Sequence, residues 1–262
     1  MTGAFETIDY VLDQKLAQIS LSRPDCLNAL SISLIEELNA ALDNALEAGA
    51  RAILLSGKGR LFSAGLDLAD AGKRQATGQN ESVLDTYFAP LAQKLANLPI
   101  PVVAAVQGGA IGGGCAIALS ADIVVASEST YFQVPFVNLG LVPDTGTTWL
   151  VTSSIGRARA MDMFLFGERI TARDALTAGL ISRVVADEML LAEALRLAHR
   201  LAQGPTIALG LIRQQVGKAA AMTLPEVLQL ESEHQQIAGD TADVRESLRA
   251  FAEKRQPNFQ GA

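Results

Sequence analysis

The sequence predicts one α/β domain that continues into a helical C-terminal extension. Three apolar runs, AILLSG (52–57), PVVAAVQ (101–107) and DIVVAS (122–127), are continuous rather than alternating. Such runs are typical of strands that are buried on both faces of a parallel sheet. Strands and helices alternate through the first half of the chain, whereas the sequence after residue 144 is almost wholly helical in its periodicity.

The chain begins with two short strands and an amphipathic helix. TIDYVL (7–12) and KLAQISLS (15–22) predict strands that a tight turn joins. Leucines recur at helical spacing in SISLIEELNAALDNALEAG (31–49), with Ser33 and Glu36 as a capping box and Gly49 at the end. A further helix is expected near 81–98, after a polar segment (71–80) that we expect to be mobile.

Helices dominate the second half of the chain. Thr171 and Asp174 form the cap of one of them, and Gly179 ends it. The predicted helices are about 145–154, 157–167, 172–179, 188–203, 205–219, 224–238 and 241–255.

Composition and charge exclude several classes of function. The formal net charge of −7 argues against a nucleic-acid partner, although a local basic patch for an anionic ligand remains compatible with it. Cys26 and Cys115 are too few for a disulfide framework or a zinc site, and free thiols suit a reducing cytoplasm. We find no signal-peptide pattern and no apolar run of the roughly 20 residues that span a bilayer. A cytoplasmic protein without metal or membrane contact is expected.

Two glycine-rich connections follow predicted strands, SGKGRLFSAGLDL after Ser56 and GGAIGGGCAIAL after Gln107. Neither fits a phosphate-binding loop. The residues 112–114 are glycines at the start of a helix, where unpaired N–H groups point outward. If the N–H of Ala64 points to the same place, two donors would stabilise an oxyanion. Tight helix–sheet packing explains the glycines equally well, and the residues alone leave both explanations open.

Four motifs in order resemble the crotonase, or enoyl-CoA hydratase/isomerase, superfamily: FSAGLDL (62–68), AVQGGAIGGGCAIAL (105–119), ADIVVAS (121–127) and LGLVPDTGTTWL (139–150). RPDCLNALS (23–31) and AFAEKRQPNF (250–259) are also similar to its members. The resemblance covers essentially the whole chain. It implies an α/β crotonase-type spiral of ββα repeats over 1–200 and a helical C-terminal trimerisation region over 201–262, in a homotrimer or a dimer of trimers.

The resemblance also implies an acyl-CoA thioester substrate, with coenzyme A as part of the substrate and no separate cofactor. The N–H groups of Ala64 and Gly113 would hold the thioester oxygen. Residues implied to contact the substrate are Asp25, Cys26, Leu27, Ala64, Gly65, Leu66, Asp67, Gly113, Phe136 and Trp149. Candidates for the CoA phosphates, each of which is equally suited to a solvated surface, are Arg23, Lys58, Lys254 and Arg255.

The family's hydratases carry two glutamates at the positions that match Ala116 and Phe136 here. A methyl group and a phenyl ring cannot activate water, so the departure disfavours a hydratase. The stretch 139–161 is similar to the ring 1,2-epoxyphenylacetyl-CoA isomerases, which have an aspartate at the position of Asp144, and related Δ3,Δ2-enoyl-CoA isomerases use a single acid nearby. Thr147 departs from the glycine that is frequent in the epoxide isomerases and puts the shape of that turn in doubt.

Asp144 therefore has two interpretations. Its Pro-Asp-Thr-Gly context before a helix suits an N-cap. The resemblance instead implies a catalytic acid/base that moves a proton between carbons and shifts a double bond, or promotes expansion of an epoxide ring to an oxepin. In that case desolvation should raise its pKa. Phe132, Phe136 and Trp149 would then wall an apolar acyl pocket, or each would be an ordinary core aromatic.

Two other functions remain as alternatives. A hydratase with relocated acid/base groups is one, and a non-catalytic acyl-CoA-binding or RNA-binding homologue is another. The acidic charge opposes RNA, and an inert binder has no need of Asp144. Related dehalogenases require a histidine base, but His199 and His234 lie in the predicted C-terminal helices, where solvated faces are their expected setting.

Overall fold

The computed structural model describes residues 5–70 and 82–262. The polar segment that the sequence analysis expects to be mobile (71–80) lies outside these residues, as does the first residue of the predicted helix 81–98. None of the helices in the described ranges is long and apolar enough to cross a bilayer.

In the described ranges nine strands form two sheets. They are β1 (Ile8–Asp13), β2 (Leu16–Leu21), β3 (Ala52–Gly57), β4 (Val102–Val106), β5 (Gly109–Ile111), β6 (Ile123–Ser127), β7 (Tyr131–Gln133), β8 (Arg169–Thr171) and β9 (Arg183–Val185). The larger sheet has the order β1-β2-β3-β4-β6-β9, and the smaller has the order β5-β7-β8. Only the β1–β2 pair in the larger sheet is antiparallel, with Ile8 opposite Leu21.

The five strands predicted from apolar runs are confirmed, each within about one residue of its expected range. The structure adds four strands of three residues each, β5, β7, β8 and β9. The expectation of an almost wholly helical second half is wrong for β8 and β9. A three-residue strand is too short to show an alternating pattern, so only its tertiary pairing reveals it.

The described helices include α1 (Ile32–Glu47), α2 (Ala89–Asn97), α3 (Gly113–Leu119), α4 (Thr147–Phe166), α5 (Ala172–Ala178), α6 (Leu190–Ala202), α7 (Thr206–Ala219), α8 (Leu224–Gly239) and α9 (Ala242–Glu253). A π-helical turn over Leu84–Phe88 precedes α2.

The predicted ends of these helices are largely correct. Gly156 interrupts α4 with φ 74° and ψ 167°, at the expected break between two helices. Thr171 caps α5, and Gly179 follows it with φ 83°. The prediction of Ser33 as the cap of α1 is wrong, because Ser31 accepts the hydrogen bond from the Leu34 N–H at 3.3 Å. Gly49 lies just beyond the end of that helix with φ 71°.

Helices cover both faces of the parallel strands. On one face Ile53 and Leu55 of β3 belong to a core that includes Leu38 of α1. On the other face Leu54 packs in a second core with Leu197 of α6. Burial on both faces explains why residues 52–55 of β3 and all residues of β4 are apolar. Because β3 and β4 are parallel, the connections that follow them emerge at the same edge of the sheet, where the candidate site lies.

Candidate active site

The two glycine-rich connections pack directly against each other. Ser63 pairs with β5 in a parallel bridge, in which its N–H donates to the Gly109 carbonyl at 3.2 Å and its carbonyl accepts from the Ile111 N–H at 3.0 Å. Gly65 has φ 85°, and a Cβ atom at this position would lie 2.7 Å from the Ile111 carbonyl oxygen. Only glycine permits this approach.

The expectation that Ala64 provides an oxyanion donor is wrong. The Ala64 N–H donates to the carbonyl oxygen of Leu27 at 3.0 Å, so it has no free N–H to offer to a substrate. Leu27 has φ 55° and ends a short turn over Pro24–Cys26. This turn orients the Leu27 carbonyl toward the FSAG loop.

Leu66, and not Ala64, has an N–H that is free of a backbone partner among the described residues. It forms a parallel bridge with Leu30, in which the Leu30 N–H donates to Gly65 at 2.8 Å and the Asp67 N–H donates to the Leu30 carbonyl at 3.1 Å. In such a bridge the central residue directs its own N–H and C=O away from the partner strand. The resemblance implies only a general substrate contact for Leu66. The feature of the sequence that could have indicated a free N–H at Leu66 is its position directly after Gly65, which needs a positive φ.

The segments that carry the N–H groups of Gly113 and Leu66 pack against each other. A Cβ atom on Gly65 would lie 3.6 Å from the Cα of Gly112, so the peptide groups that carry these two N–H groups are neighbours. Gly113 is the first residue of α3, and its N–H lies beyond the reach of intrahelical acceptors. Within residues 5–70 and 82–262 neither amide donates to another backbone carbonyl.

Asp144 is half-buried, and the side chain of the next residue, Thr145, lies close to Gly113. Its Oδ1 accepts a hydrogen bond from the Thr145 hydroxyl at 2.8 Å, and that hydroxyl oxygen would lie 3.9 Å from a Cβ atom on Gly113. Burial raises the pKa of the Asp144 carboxyl, and the hydrogen bond from Thr145 partly opposes this shift. The direction of the shift is the one that the sequence analysis expects for a pocket carboxylate.

The N-cap interpretation of Asp144 is wrong. Gly146 precedes the first residue of α4 with φ 77°, and no side chain caps this helix. The backbone carbonyl of Asp144, and not its carboxylate, accepts from the Thr147 N–H at 2.8 Å and from the Thr147 hydroxyl at 2.6 Å. The carboxylate is therefore available for another role.

The positions that match the hydratase glutamates are apolar and adjoin the free amides. Ala116 is fully buried in α3. The Phe136 ring lies over the glycine turn, with its Cζ 3.7 Å from where a Cβ of Gly112 would be. Phe132 is fully buried in the core and so is an ordinary core aromatic, whereas Trp149 is 52% exposed. Trp149 lines a groove of about 840 Å³ together with Thr145 and Gly146.

A second cleft, of about 640 Å³, adjoins the FSAG loop. Cys26, Ala64, Leu66 and Asp67 line it, together with Arg23. Asp25 and Leu27 adjoin Cys26 in the turn at its edge. The structure thus brings together the two segments that the resemblance implies for CoA binding.

Two of the residues around this cleft are paired with each other. Arg23 donates to the Asp67 carboxylate at 2.9 Å. Burial alone would raise the pKa of Asp67, but the net effect is a lowered pKa. The causes of the lowering are the hydrogen bond from Arg23, the charge of Arg23 and the hydrogen bonds from the N–H groups of Asp70 and Ala69. Asp67 is thus a structural anion that holds the loop and has little capacity left for a ligand.

Most of the basic candidates for the CoA phosphates already have carboxylate partners. Lys58 pairs with Asp9. Arg255 pairs with Glu246 and with Glu253, and both of its N–O distances are 2.6 Å. Lys254 is exposed at the end of α9 and makes no ion pair with the described residues. It has the freest charge of the four.

The two histidines lie in helices α6 and α8, as predicted. The expectation of a solvated face is wrong for His234, which is 7% exposed. Its Nδ1 is buried without a hydrogen-bond partner among the described residues.

A family model described as "Enoyl-CoA hydratase/isomerase" matches residues 12–262. The chain belongs to this family. Its fold is accordingly the α/β crotonase fold. An enoyl-CoA hydratase from Bacillus anthracis of known crystal structure superposes with a TM-score of 0.91 at 32% identity, covering 98% of this chain and 100% of that one.

Two curated members of the family carry different names. A protein named "Probable enoyl-CoA hydratase" from Rhodobacter capsulatus is 42% identical over 259 residues, which cover 98% of this chain and 99% of the relative. The 1,2-epoxyphenylacetyl-CoA isomerase of Escherichia coli is 40% identical over 258 residues, or 95% and 97% of the two chains. The family membership therefore makes this chain an acyl-CoA enzyme and leaves its reaction to the chemistry of the site.

Proposed function

We propose that this crotonase is an acyl-CoA isomerase that works through a thioester enolate. Its substrate would be 2-(1,2-epoxy-1,2-dihydrophenyl)acetyl-CoA or a Δ3-enoyl-CoA. The observation that carries the proposal is the half-buried carboxylate of Asp144, which accepts from a Thr145 hydroxyl close to Gly113, with Ala116 and Phe136 where water-activating carboxylates would be needed.

In this proposal the N–H groups of Leu66 and Gly113 hold the thioester oxygen. When a proton leaves the carbon next to the thioester, negative charge moves to that oxygen, and the two donors stabilise it. One such donor contributes about 3 to 4 kcal/mol of transition-state stabilisation in well-studied systems. The enolate is therefore accessible without a metal ligand or a second acid.

Asp144 then acts first as a base and afterwards as an acid. With a Δ3-enoyl-CoA, the carboxylate takes a proton from the α carbon, and the electron pair of that C–H bond forms the enolate. The protonated carboxyl returns the proton to the γ carbon, and the double bond moves into conjugation with the thioester. No water is consumed, and the raised pKa of Asp144 suits a group that must both accept and release a proton.

The direct test is a panel of thioesters with purified protein. We expect a 3-enoyl-CoA to give the absorbance of a conjugated thioester, or the epoxide to give a ring-expanded product by mass spectrometry. Asp144→Asn should slow either reaction by about 10²- to 10⁴-fold. Isomerisation at the wild-type rate in this variant would contradict the proposal.

Hydration is the second candidate, because the Rhodobacter capsulatus relative is named a probable enoyl-CoA hydratase. Addition of water to crotonyl-CoA at a rate above every isomerisation in the panel would favour it. Binding of acyl-CoA without turnover of any thioester would instead indicate a non-catalytic homologue.

We also propose that the helical region 201–262 mediates assembly into a homotrimer or a dimer of trimers in the cytoplasm. Large apolar side chains are exposed along α7, α8 and α9, and an assembly would cover them. They include Ile212, Val216, Leu224, Leu228, Ile237, Leu248 and Phe251. Light scattering coupled to size-exclusion chromatography should give at least three times the mass of one chain, and a monodisperse monomer would contradict this.

A further inference from the structure

The Thr145 hydroxyl lies next to the carboxylate of Asp144 and close to Gly113. The residue is 8% exposed. Its hydroxyl donates to Asp144 Oδ1 at 2.8 Å. A hydroxyl has one proton, so this hydrogen bond uses the whole donor capacity of the side chain. No other described side chain or backbone amide donates to the Asp144 carboxylate.

The backbone of Thr145 is held in an unfavourable conformation. Its φ is +53°, and the next residue, Gly146, has φ +77°. A β-branched side chain in the left-handed region is strained, and glycine or asparagine adopts this region much more readily. Such strain persists where the surrounding structure imposes it, and it is concentrated at functional sites.

Asp144 is fixed at both ends by this turn. The Thr147 N–H and hydroxyl both bind its main-chain carbonyl, at 2.8 and 2.6 Å, while Thr145 binds its carboxylate. Rotation of the carboxylate about its terminal bond would exchange Oδ1 and Oδ2. The hydrogen bond to Oδ1 opposes that exchange, so the two oxygens are not equivalent.

We propose that Thr145 is a positioning residue for the isomerase reaction, whose hydroxyl occupies Oδ1 of Asp144 and leaves Oδ2 as the oxygen that exchanges the proton with the substrate. This inference rests on the proposed function, and it assigns to one side chain both the orientation and the ionisation of the base. Burial favours the neutral form of Asp144, and the Thr145 hydroxyl favours the charged form. Within the described chain no charged group adds to these two influences on its pKa.

Removal of the hydroxyl should therefore have two effects. The carboxylate loses its orientation, which lowers kcat but leaves KM little changed, because the thioester contacts are intact. The pKa of Asp144 also rises, because the hydrogen bond that lowers it is lost. Since the base must be ionised, kcat/KM then increases with pH only at a higher pH than in the wild type.

The test compares three substitutions at one position. Thr145→Val removes the hydroxyl and keeps the shape, Thr145→Ser keeps the hydroxyl, and Thr145→Gly removes the side chain and relieves the backbone strain. We expect kcat to fall about 10- to 100-fold in the Val and Gly variants, the range set by one hydrogen bond to a charged group. The Ser variant should retain the wild-type pH profile. Thr148→Val, at an exposed threonine in the same segment, is the matched control and should change neither kcat nor the profile.

Specific outcomes overturn the proposal. It is wrong if the pH profile of Thr145→Val matches that of the wild type, or if Thr145→Ser loses as much activity and shifts as far as Thr145→Val. If Thr145→Val does not fold, Thr145→Gly gives the same decision, because glycine adopts φ +53° without strain. Should Asp144→Asn be inactive while Thr145→Val behaves as the wild type, only the role of Thr145 fails. Activity at the wild-type rate in Asp144→Asn would show instead that the proposed function itself is wrong.

Discussion

Replacing Asp144 by asparagine separates a catalytic carboxylate from a helix cap. Asparagine has the same shape, and its Oδ1 can still accept the hydrogen bond that Thr145 donates at 2.8 Å. The variant cannot take a proton from carbon. A positioned general base typically contributes 10²- to 10⁴-fold to a rate, and we expect a loss of about this size in kcat.

The same substitution should not destabilise the protein. Burial raises the pKa of Asp144 in the folded state, so the folded protein binds more protons than the unfolded chain between the two pKa values. The carboxylate thus makes the wild type less stable as the pH rises through the raised pKa. The neutral asparagine removes that penalty. We expect the free energy of unfolding of the variant to equal or exceed that of the wild type at pH 7, and the difference to shrink on acidification.

Urea denaturation at several pH values measures this effect, with turnover of a 3-enoyl-CoA measured in parallel. Thr171→Ala is the matched control, because Thr171 does cap a helix by accepting from the Asp174 N–H at 3.1 Å. That control should lose about 1 kcal/mol of stability and keep its kcat. A variant Asp144→Asn that is as active as the wild type, and less stable by the amount typical of a lost cap, would refute the reasoning.

Two further predictions concern packing and thiol chemistry. Gly65→Ala should lower the stability by about 2 kcal/mol or more and abolish activity, because its Cβ would lie 2.7 Å from the Ile111 carbonyl at φ 85°. Gly217→Ala, in a helix where nothing lies within 4 Å, should instead raise the stability by up to roughly 1 kcal/mol, and urea denaturation checks both. Cys115 is buried and desolvation raises its pKa to about 12, whereas Cys26 is exposed. A thiol reagent should therefore label one cysteine rapidly in the native protein and two after denaturation; rapid labelling of two in the native state would contradict this.

Much of the fold could be predicted from the sequence, because the spacing of apolar residues indicates which face of a strand or helix is buried. Residues 52–55 of β3 and all residues of β4 are apolar because each face of these strands packs against helices, and Leu38 recurs with Leu34 and Leu42 at helical spacing. The three-residue strands β8 and β9 carry no such pattern. They exist because a neighbouring strand provides hydrogen-bond partners, which only the tertiary structure shows.

The candidate site divides in the same way. The sequence by itself located the FSAG and GGAIGGG turns and the lone acid at 144, because glycines and a carboxylate in apolar surroundings are local features. The tertiary structure decided which amide is free, since the carbonyl of Leu27, far earlier in the chain, takes the N–H of Ala64 and leaves that of Leu66. It also decided that Asp144 is no cap, because in the left-handed turn at Thr145 the carboxylate accepts from the Thr145 hydroxyl and not from a helix amide. Whether a donor is free and whether an acid is desolvated depend on groups that the fold brings from elsewhere, and so neither can be obtained from local sequence.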